Sequence, residues 1–208
     1  AELSYRKGSH LNSKGGYTAT STGATGDTIH AVVNGVYLLP KSALWDTGSL
    51  IGELAYSQLN KITANESLYR GVGYASCKIA TGATGAGGPG DITDTCSTKD
   101  YWGVAVRFTP QYLGIMPSWD LSVPVAINYG LKGTAATGGG GFEGLLTWSV
   151  GLAATYANKH DFSLTYADMS VPTKYNTAGT AAVGGNALNS SVGATDRGRL
   201  LFTYKTSF

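Results

Sequence analysis

Along much of this chain, apolar residues alternate with small or polar ones in a period of two residues, and this pattern limits the folds that the chain can adopt. At the end of the chain, Leu200, Phe202 and Tyr204 share one side, while Thr203 and Lys205 fall on the other. Successive side chains of a β-strand point to opposite faces of the sheet, so the alternation predicts strands with one apolar face. The alternating segments are residues 3–5, 28–39, 50–56, 102–108, 121–129, 148–156, 162–166 and 200–208.

The composition favours a membrane-embedded sheet. Charged residues make up 13% of the chain and apolar residues 42%, and the charged share is about half of that in ordinary soluble proteins. No stretch approaches the ~20 consecutive apolar residues of a spanning helix. In hydrocarbon every backbone amide needs an internal partner, so a chain without spanning helices can cross only as a closed barrel. We therefore predict an all-β, antiparallel transmembrane β-barrel of roughly eight strands, with residues 1–208 as one domain.

A soluble β-sandwich also alternates and is the main alternative. Two features of the residues favour the barrel instead. The second face is small and polar and carries few charges, as a barrel lumen would. Aromatic residues cluster near the strand ends, as in the interfacial girdles of membrane barrels. These residues are Trp45, Tyr56, Trp102, Phe108, Trp119, Tyr129, Tyr156, Phe162 and Tyr204.

The connections between the strands alternate in length. The short ones are residues 40–46, 110–120 and 158–161, and the long ones are residues 8–27, 65–100, 132–144 and 170–198. In outer-membrane barrels the long loops are extracellular and the short turns periplasmic. This pattern predicts an integral protein of a bacterial outer membrane with both chain ends on the periplasmic side.

Cys77 and Cys96 lie in one Gly-rich, turn-rich segment. The alternatives are a local disulfide and two unpaired thiols, and the oxidising compartment of an exported protein favours the disulfide. Neither cysteine has His or Cys neighbours at zinc spacing, so we predict no metal site. The glycine run at 138–141 lacks the Lys-Ser/Thr of a phosphate loop, and no cofactor is expected. The net charge of +2 gives no reason to expect a nucleic-acid partner.

The polar positions of the strands predict which residues point into the lumen. With Glu2, these candidates are Arg6, His30, Asn34, Glu53, Arg107, Asn128, Arg199 and Lys205. The polarity of a lumen determines what passes through it, and the slight excess of positive charge favours neutral or anionic solutes. For each residue the alternative is a structural role in the ion pairs and hydrogen bonds that fill a narrow barrel.

The three histidines are the candidates for catalysis. His10 falls in a predicted long loop, His30 in a strand, and His160 in a short turn beside Asp161. Adjacent residues at a strand end point in different directions, so His160 and Asp161 do not form an acid–base pair. We predict no enzymatic activity.

The stretch from Arg197 to Phe208 resembles the C-terminal strand of outer-membrane barrels. In those proteins a final aromatic residue and alternating apolar residues are read by the barrel-assembly machinery. The resemblance assigns this role to Tyr204 and Phe208, while Thr206 stands where another aromatic residue is often found.

More specifically, the chain resembles the large, uncharacterised Gram-negative outer-membrane family numbered thirteen-oh-two among the domains of unknown function. The resemblance rests on Leu38-Leu-Pro-Lys, Leu44-Trp-Asp-Thr-Gly-Ser-Leu50, Trp102-Gly-Val-Ala-Val, Phe108-Thr-Pro-Gln, Asp120-Leu-Ser-Val-Pro, Tyr129-Gly-Leu-Lys-Gly and Asp196-Arg-Gly-Arg. Members of that family are longer, which implies that this chain is the C-terminal part of a larger barrel. The family is associated with handling lipids or other hydrophobic compounds at the cell envelope, alongside an inner-membrane exporter.

Together these observations predict a channel or carrier for small hydrophobic or amphipathic molecules. The alternative is a membrane anchor that transports nothing and whose long loops bind a partner or a surface. The expected partners are outer-membrane lipid and lipopolysaccharide, the barrel-assembly machinery during biogenesis, and a hydrophobic small-molecule substrate.

Overall fold

A computed structural model of the chain describes residues 1–14, 23–138, 140–185, 195 and 197–207. They form antiparallel β-structure with two short 3₁₀ turns, Glu66–Leu68 and Ile92–Asp94. No helix among these residues is long and apolar enough to cross a membrane. The strands are β1 (Glu2–His10), β2 (Thr25–Leu38), β3 (Thr47–Ala64), β4 (Asp100–Met116), β5 (Trp119–Ser122), β6 (Val125–Lys132), β7 (Leu146–Tyr156), β8 (His160–Ser170), β9 (Thr173–Tyr175), β10 (Ala182–Gly185) and β11 (Arg199–Thr206).

The main sheet is a meander in which each strand pairs antiparallel with the next. β5 and β6 follow one another at the same position, because both pair with β4 on one side and with β7 on the other. The order is thus β1, β2, β3, β4, the β5–β6 pair, β7, β8 and β11. β9 and β10 form a separate hairpin within the connection between β8 and β11. The all-β, antiparallel class predicted from the sequence is confirmed.

A proline divides the run that the alternation predicts as one strand over residues 121–129. β5 ends at Ser122 and β6 begins at Val125, so Val123 and Pro124 lie between them. Proline has no N–H with which to continue the ladder. The Pro124 carbonyl still accepts a hydrogen bond from the Gly151 N–H at 2.9 Å. β5 before the proline and β6 after it therefore both pair with β7.

The short connection predicted over residues 110–120 is wrong. β4 continues through Pro110 to Met116, and only Pro117 and Ser118 form the turn before β5. Ser118 has a φ of 66°, in the left-handed region that tight turns require. Pro110 pairs with Gly48, the second residue of β3. At this position close to a strand terminus, a missing N–H disturbs little of the ladder.

The connections of the main sheet are sorted by length between its two ends. Residues 11–24, 65–99, 133–145 and 171–198 connect strands at one end, here called the loop end. The short connections 39–46, 117–118 and 157–159 lie at the other, the turn end, where β1 begins and β11 ends. The observed bounds of the long connections differ from the predicted ones by up to three residues, because β1 continues past Gly8 and β2 begins before Asp27 as a bulged pair.

The sheet has two outer strands. Among the described residues, β1 pairs only with β2, and β11 pairs only with β8. In the described part of the chain, the sheet therefore has two edges, one on β1 and one on β11.

Candidate functional site

The strand registers place all eight predicted lumen residues on one face of the sheet. Directly paired residues of an antiparallel ladder share a face, and residues two apart along a strand do so as well. Asn34 pairs with Glu53, and Ala105 pairs with Asn128. The same relations carry this face, here called the polar face, from β1 to β11. It includes Arg6, His30, Asn34, Glu53, Arg107, Asn128, Arg199 and Lys205.

The opposite face, here called the apolar face, is covered by large hydrophobic side chains that remain exposed. Leu3 on β1 is 76% exposed, Leu152 on β7 52%, and Phe202 on β11 65%. The other exposed members are Tyr5, Val33, Tyr37, Leu50, Leu54, Trp102, Val106, Ile127, Tyr129, Trp148, Val150, Tyr156, Leu164, Tyr166, Leu200 and Tyr204. Soluble monomers rarely expose apolar patches larger than a few hundred Å². Among the described residues, exposed apolar side chains thus extend over the whole width of this face, from β1 to β11.

Aromatic residues form two rows on the apolar face. Near the turn end, Trp119 lies 4.9 Å from Tyr156 and 5.9 Å from Phe162, measured between ring centroids. Near the loop end, Tyr56 packs against Trp102 at 4.5 Å. Trp148 and Tyr156 mark the two rows on β7 and are eight residues apart, or about 27 Å along a strand. This separation is close to the ~25 Å height of the apolar band of a membrane barrel.

The long connections pack together over the polar face at the loop end. Leu11, Leu59, Tyr69 and Ala136 are buried in one cluster with Ala24. Leu59 belongs to the polar face of β3, and the others come from three different connections. This cluster, which we call the loop layer, is the main buried apolar core among the described residues.

Hydrogen bonds join the connections of the loop layer. Asn12 N–H donates to the Ala136 carbonyl at 2.8 Å, and Arg70 N–H donates to the Asn12 carbonyl at 2.9 Å. The Asn12 side-chain amide donates to the Thr95 carbonyl at 2.9 Å. The connection after β1 thus binds both the 65–99 connection and the 133–145 connection. Because β1 and β6 are separated by β2, β3 and β4, this contact requires the sheet to curve around its polar face.

The 65–99 connection is stapled as the sequence predicts. Cys77 and Cys96 form a disulfide with their Cα atoms 5.6 Å apart. Burial raises the pKa of the Tyr69 phenol and lowers that of the Arg70 guanidinium, as expected for groups enclosed by the loop layer. The Arg70 guanidinium donates to the Asp94 carbonyl.

Two of the cavities on the polar face are lined by residues that the sequence predicts to face the lumen. The larger, about 400 Å³, lies between β6, β7, β8 and β11, and the smaller, about 180 Å³, lies between β3, β4, β6 and β7. Asn128 and Thr147 line both cavities, and the Asn128 side-chain amide donates to Thr147 Oγ1 at 3.1 Å. Of the predicted residues, Arg199 also lines the larger cavity and Glu53 the smaller one. Small side chains on the polar face leave this space empty.

The remaining predicted residues lie apart from the cavities. His30 Nε2 is 2.9 Å from Thr28 Oγ1, which is 3.0 Å from Ser9 Oγ, so His30 ends a short hydroxyl chain near the loop layer. Arg107 contacts Thr109 at 3.5 Å. Lys205 pairs in register with Asp161 near the turn end.

Two features of the site do not follow from the predicted strands. Arg197 lines the larger cavity beside Arg199, but it precedes β11 and so escaped the strand pattern. His160 belongs to β8 and stands among the aromatic residues of the turn end, with Nδ1 2.9 Å from the Tyr204 hydroxyl. The alternation could have placed His160 there, since it is two residues before Phe162 and four before Leu164. Phe208 lies outside the described residues.

In the part of the chain that the structure describes, the fold and the site define an all-β protein with a main antiparallel meander, one exposed apolar face and one polar face that holds cavities. The family model described as "Protein of unknown function (DUF1302)" matches residues 1–208. The chain belongs to this family, as its motifs indicated. No curated protein and no solved structure matches the chain significantly.

Proposed function

We propose that this chain forms the wall of a β-barrel in a Gram-negative outer membrane and passes or carries small hydrophobic or amphipathic molecules. The observation that carries the proposal is the exposed apolar face on every position of the sheet, opposite a polar face. Lipid against the first face and solute along the second would satisfy both surfaces. The two aromatic rows support the same orientation, because Trp and Tyr prefer the membrane–water interfaces.

Closure of the sheet is part of the proposal. An open edge within hydrocarbon would leave backbone amides without partners, at a cost of several kcal/mol for each group. β1 and β11 must therefore pair with each other or with further strands. Eight strands alone enclose a space that side chains just fill. On this polar face many side chains are small, which supports a narrow conduit with binding cavities over an open pore.

The orientation follows from the two ends of the sheet. The loop layer would face the outside and the lipopolysaccharide, and the short turns and both chain ends would face the periplasm. Tyr204, exposed on the apolar face of β11, would be available to the barrel-assembly machinery together with Phe208. We propose no enzymatic role.

A second candidate function, a membrane anchor that binds a partner, is favoured by the stapled 65–99 connection. Within it, Ile79 N–H donates to the Gly88 carbonyl at 3.0 Å, and this small hairpin lies beyond Cys77. A deletion of residues 80–87 retains both cysteines. If partner or surface binding is lost while solute flux is retained, the anchor function is supported.

Solute flux through the full chain in liposomes tests the leading proposal. We expect faster entry of small amphipathic solutes than into empty liposomes. Ala167→Trp fills the larger cavity from the polar face and should slow flux at least about fivefold. Ala154→Trp, on the apolar face of β7, is the matched control and should leave flux within about twofold. A wild-type chain that inserts and gives no flux would contradict the proposal.

A further inference from the structure

We propose that the larger cavity is a binding site for the anionic group of a small amphipathic molecule. This inference deepens the proposed function and rests on it for the role of the site in the passage of solutes. Its basis is an excess of positive charge in the described lining of the cavity, which holds two arginines and one acidic residue, Asp168. The cavity volume of about 400 Å³ falls within the range of small-molecule sites, about 300–1,000 Å³.

Two arginines, at the beginning of β11 and just before it, line the cavity. Arg199 is the first residue of β11, and Arg197 precedes the strand by two residues. In an extended chain, residues two apart point to the same side and lie about 7 Å apart, and both arginines line the cavity. Among the residues that the structure describes, neither arginine forms an ion pair. Their guanidinium groups are therefore available to a ligand. Arginine binds carboxylate and phosphate groups in a bidentate manner.

The one acidic residue at the cavity is directed elsewhere. Asp168 pairs with Trp148 on the apolar face of the sheet, and its carboxylate accepts Met169 N–H at 2.7 Å. The Tyr166 hydroxyl lies 3.4 Å from the same carboxylate. Asp168 thus lies on the side opposite the arginines' face and does not neutralise them. The cavity keeps a net positive charge that favours anions.

The other walls suit the remainder of an amphipathic ligand. Thr147 and Ser149 offer hydroxyl groups, and Asn128 is fixed by its bond to Thr147. Ala126, Ala167 and Met169 supply apolar surface on the same face. Methionine adapts to ligands of varied shape, so this wall can accept more than one apolar tail. A short-chain carboxylate has both the charge and the apolar part that this arrangement would recognise.

Calorimetry with octanoate and its uncharged isostere octanamide tests the site. The full chain in lipid nanodiscs is titrated with each compound, and the heat from empty nanodiscs is subtracted. We expect the wild type to bind octanoate more tightly than octanamide. The double variant Arg197→Gln/Arg199→Gln should weaken octanoate binding at least tenfold and change octanamide binding less than twofold. Arg197→Lys/Arg199→Lys should restore part of the octanoate affinity, because the charge is retained.

Lys205→Gln is the matched control, because it removes a positive charge from the same strand and face outside the cavity. It should leave octanoate binding within twofold. The inference is overturned if the wild type binds octanoate no better than octanamide, or if the arginine variants weaken both compounds equally. A barrel that conducts solutes but shows either result refutes only the anion site. A chain that stays soluble without lipid refutes the proposed function, and its octanoate binding can still be measured in buffer.

Discussion

Lys174 and Asp94 are 80 residues apart in the chain, yet Lys174 Nζ lies 3.0 Å from Asp94 Oδ2. The Asp94 side chain is 1% exposed and that of Lys174 33%. Lys174 also lies 3.8 Å from an oxygen of Asp91. This contact ties the β9–β10 hairpin, in the connection that leads to the larger cavity, to the stapled 65–99 connection. This ion pair therefore connects two parts of the loop end that are distant in the sequence.

Lys174→Met should detach the β9–β10 hairpin from the 65–99 connection. The substitution removes the ion pair between Lys174 and the buried Asp94 carboxylate, which keeps Arg70 as a nearby cation. We expect a local loss of about 1–2 kcal/mol, reduced because Lys174 is partly exposed. Limited proteolysis should cleave the 171–185 segment several times faster than in the wild type. Lys41→Met removes the far more exposed pair with Asp46 and serves as the control. Equal cleavage rates in both variants would show that the Lys174 contact holds nothing in place.

The disulfide should stabilise the loop layer and leave the sheet unaffected. Cys77 and Cys96 are 19 residues apart, so closing this loop stabilises the folded state by about 3 kcal/mol in the chain-entropy model. In Cys77→Ser/Cys96→Ser, hydrogen exchange should accelerate in residues 65–99 and around Leu11. Exchange in β7 and β8 should be unchanged. Faster exchange throughout β7 and β8 would mean that the loop layer supports the whole sheet.

A charge on the apolar face should be costly if that face contacts lipid. Leu152 lies midway between the aromatic rows on β7, and an arginine near the bilayer midplane costs about 2–4 kcal/mol. Leu152→Arg should therefore lower the unfolding free energy in urea titrations of liposome-refolded protein. Ser149→Arg, on the polar face of the same strand beside the larger cavity, should cost less than about 1 kcal/mol. If Ser149→Arg costs more than Leu152→Arg, lipid contacts the polar face and the proposed orientation of the sheet is wrong.

The sequence predicts much of the sheet because each strand obeys one strong local rule. Wherever one face is apolar, a register shift of one residue would reverse both faces, so alternation specifies the side on which Asn34, Glu53 and Asn128 lie. The same rule placed Arg107 and Lys205 on the polar face. Prolines produced the errors. Pro110 predicts a turn but lies within β4, and Pro124 interrupts a run that alternates without a visible break.

The loop end could not be predicted in the same way, because its contacts join distant parts of the chain. Nothing local in the sequence indicates that Asn12 binds Ala136, or that Lys174 reaches Asp94. The Cys77–Cys96 disulfide was predictable there, because the two cysteines lie in one turn-rich segment of the sequence. The larger cavity was also out of reach, because it depends on four strands meeting with small side chains.

The turn before β3 should respond to acid through Asp46. Its carboxylate accepts Leu113 N–H at 3.0 Å, and this bond, followed by the contact with Lys41, lowers the pKa of Asp46 below its ordinary 3.8. A depressed pKa means that the carboxylate stabilises the fold above pH 3.8, and that this contribution is lost as the pH falls through the lower folded value. The Leu113 amide shift in NMR should titrate with a midpoint below 3.8, and Asp46→Asn should abolish the transition. A midpoint at or above 3.8 would contradict the contact.

The edges of the sheet supply the last prediction. If β1 and β11 close the barrel, directly or through further strands, the amides that point away from β2 and β8 gain partners and are protected from solvent. In the folded protein in detergent, we expect these outer amides to exchange as slowly as the central amides of β3 and β7. An open sheet would exchange its outer amides at least about a hundredfold faster than its central ones, because free edge groups exchange without any opening step. Mass spectrometry of overlapping peptides from residues 1–10 and 199–207 measures the difference.

Fast exchange confined to these two segments would show that the sheet has free edges. Hydrocarbon does not tolerate unpaired backbone groups, so a protein partner would then have to cover the apolar face in place of lipid.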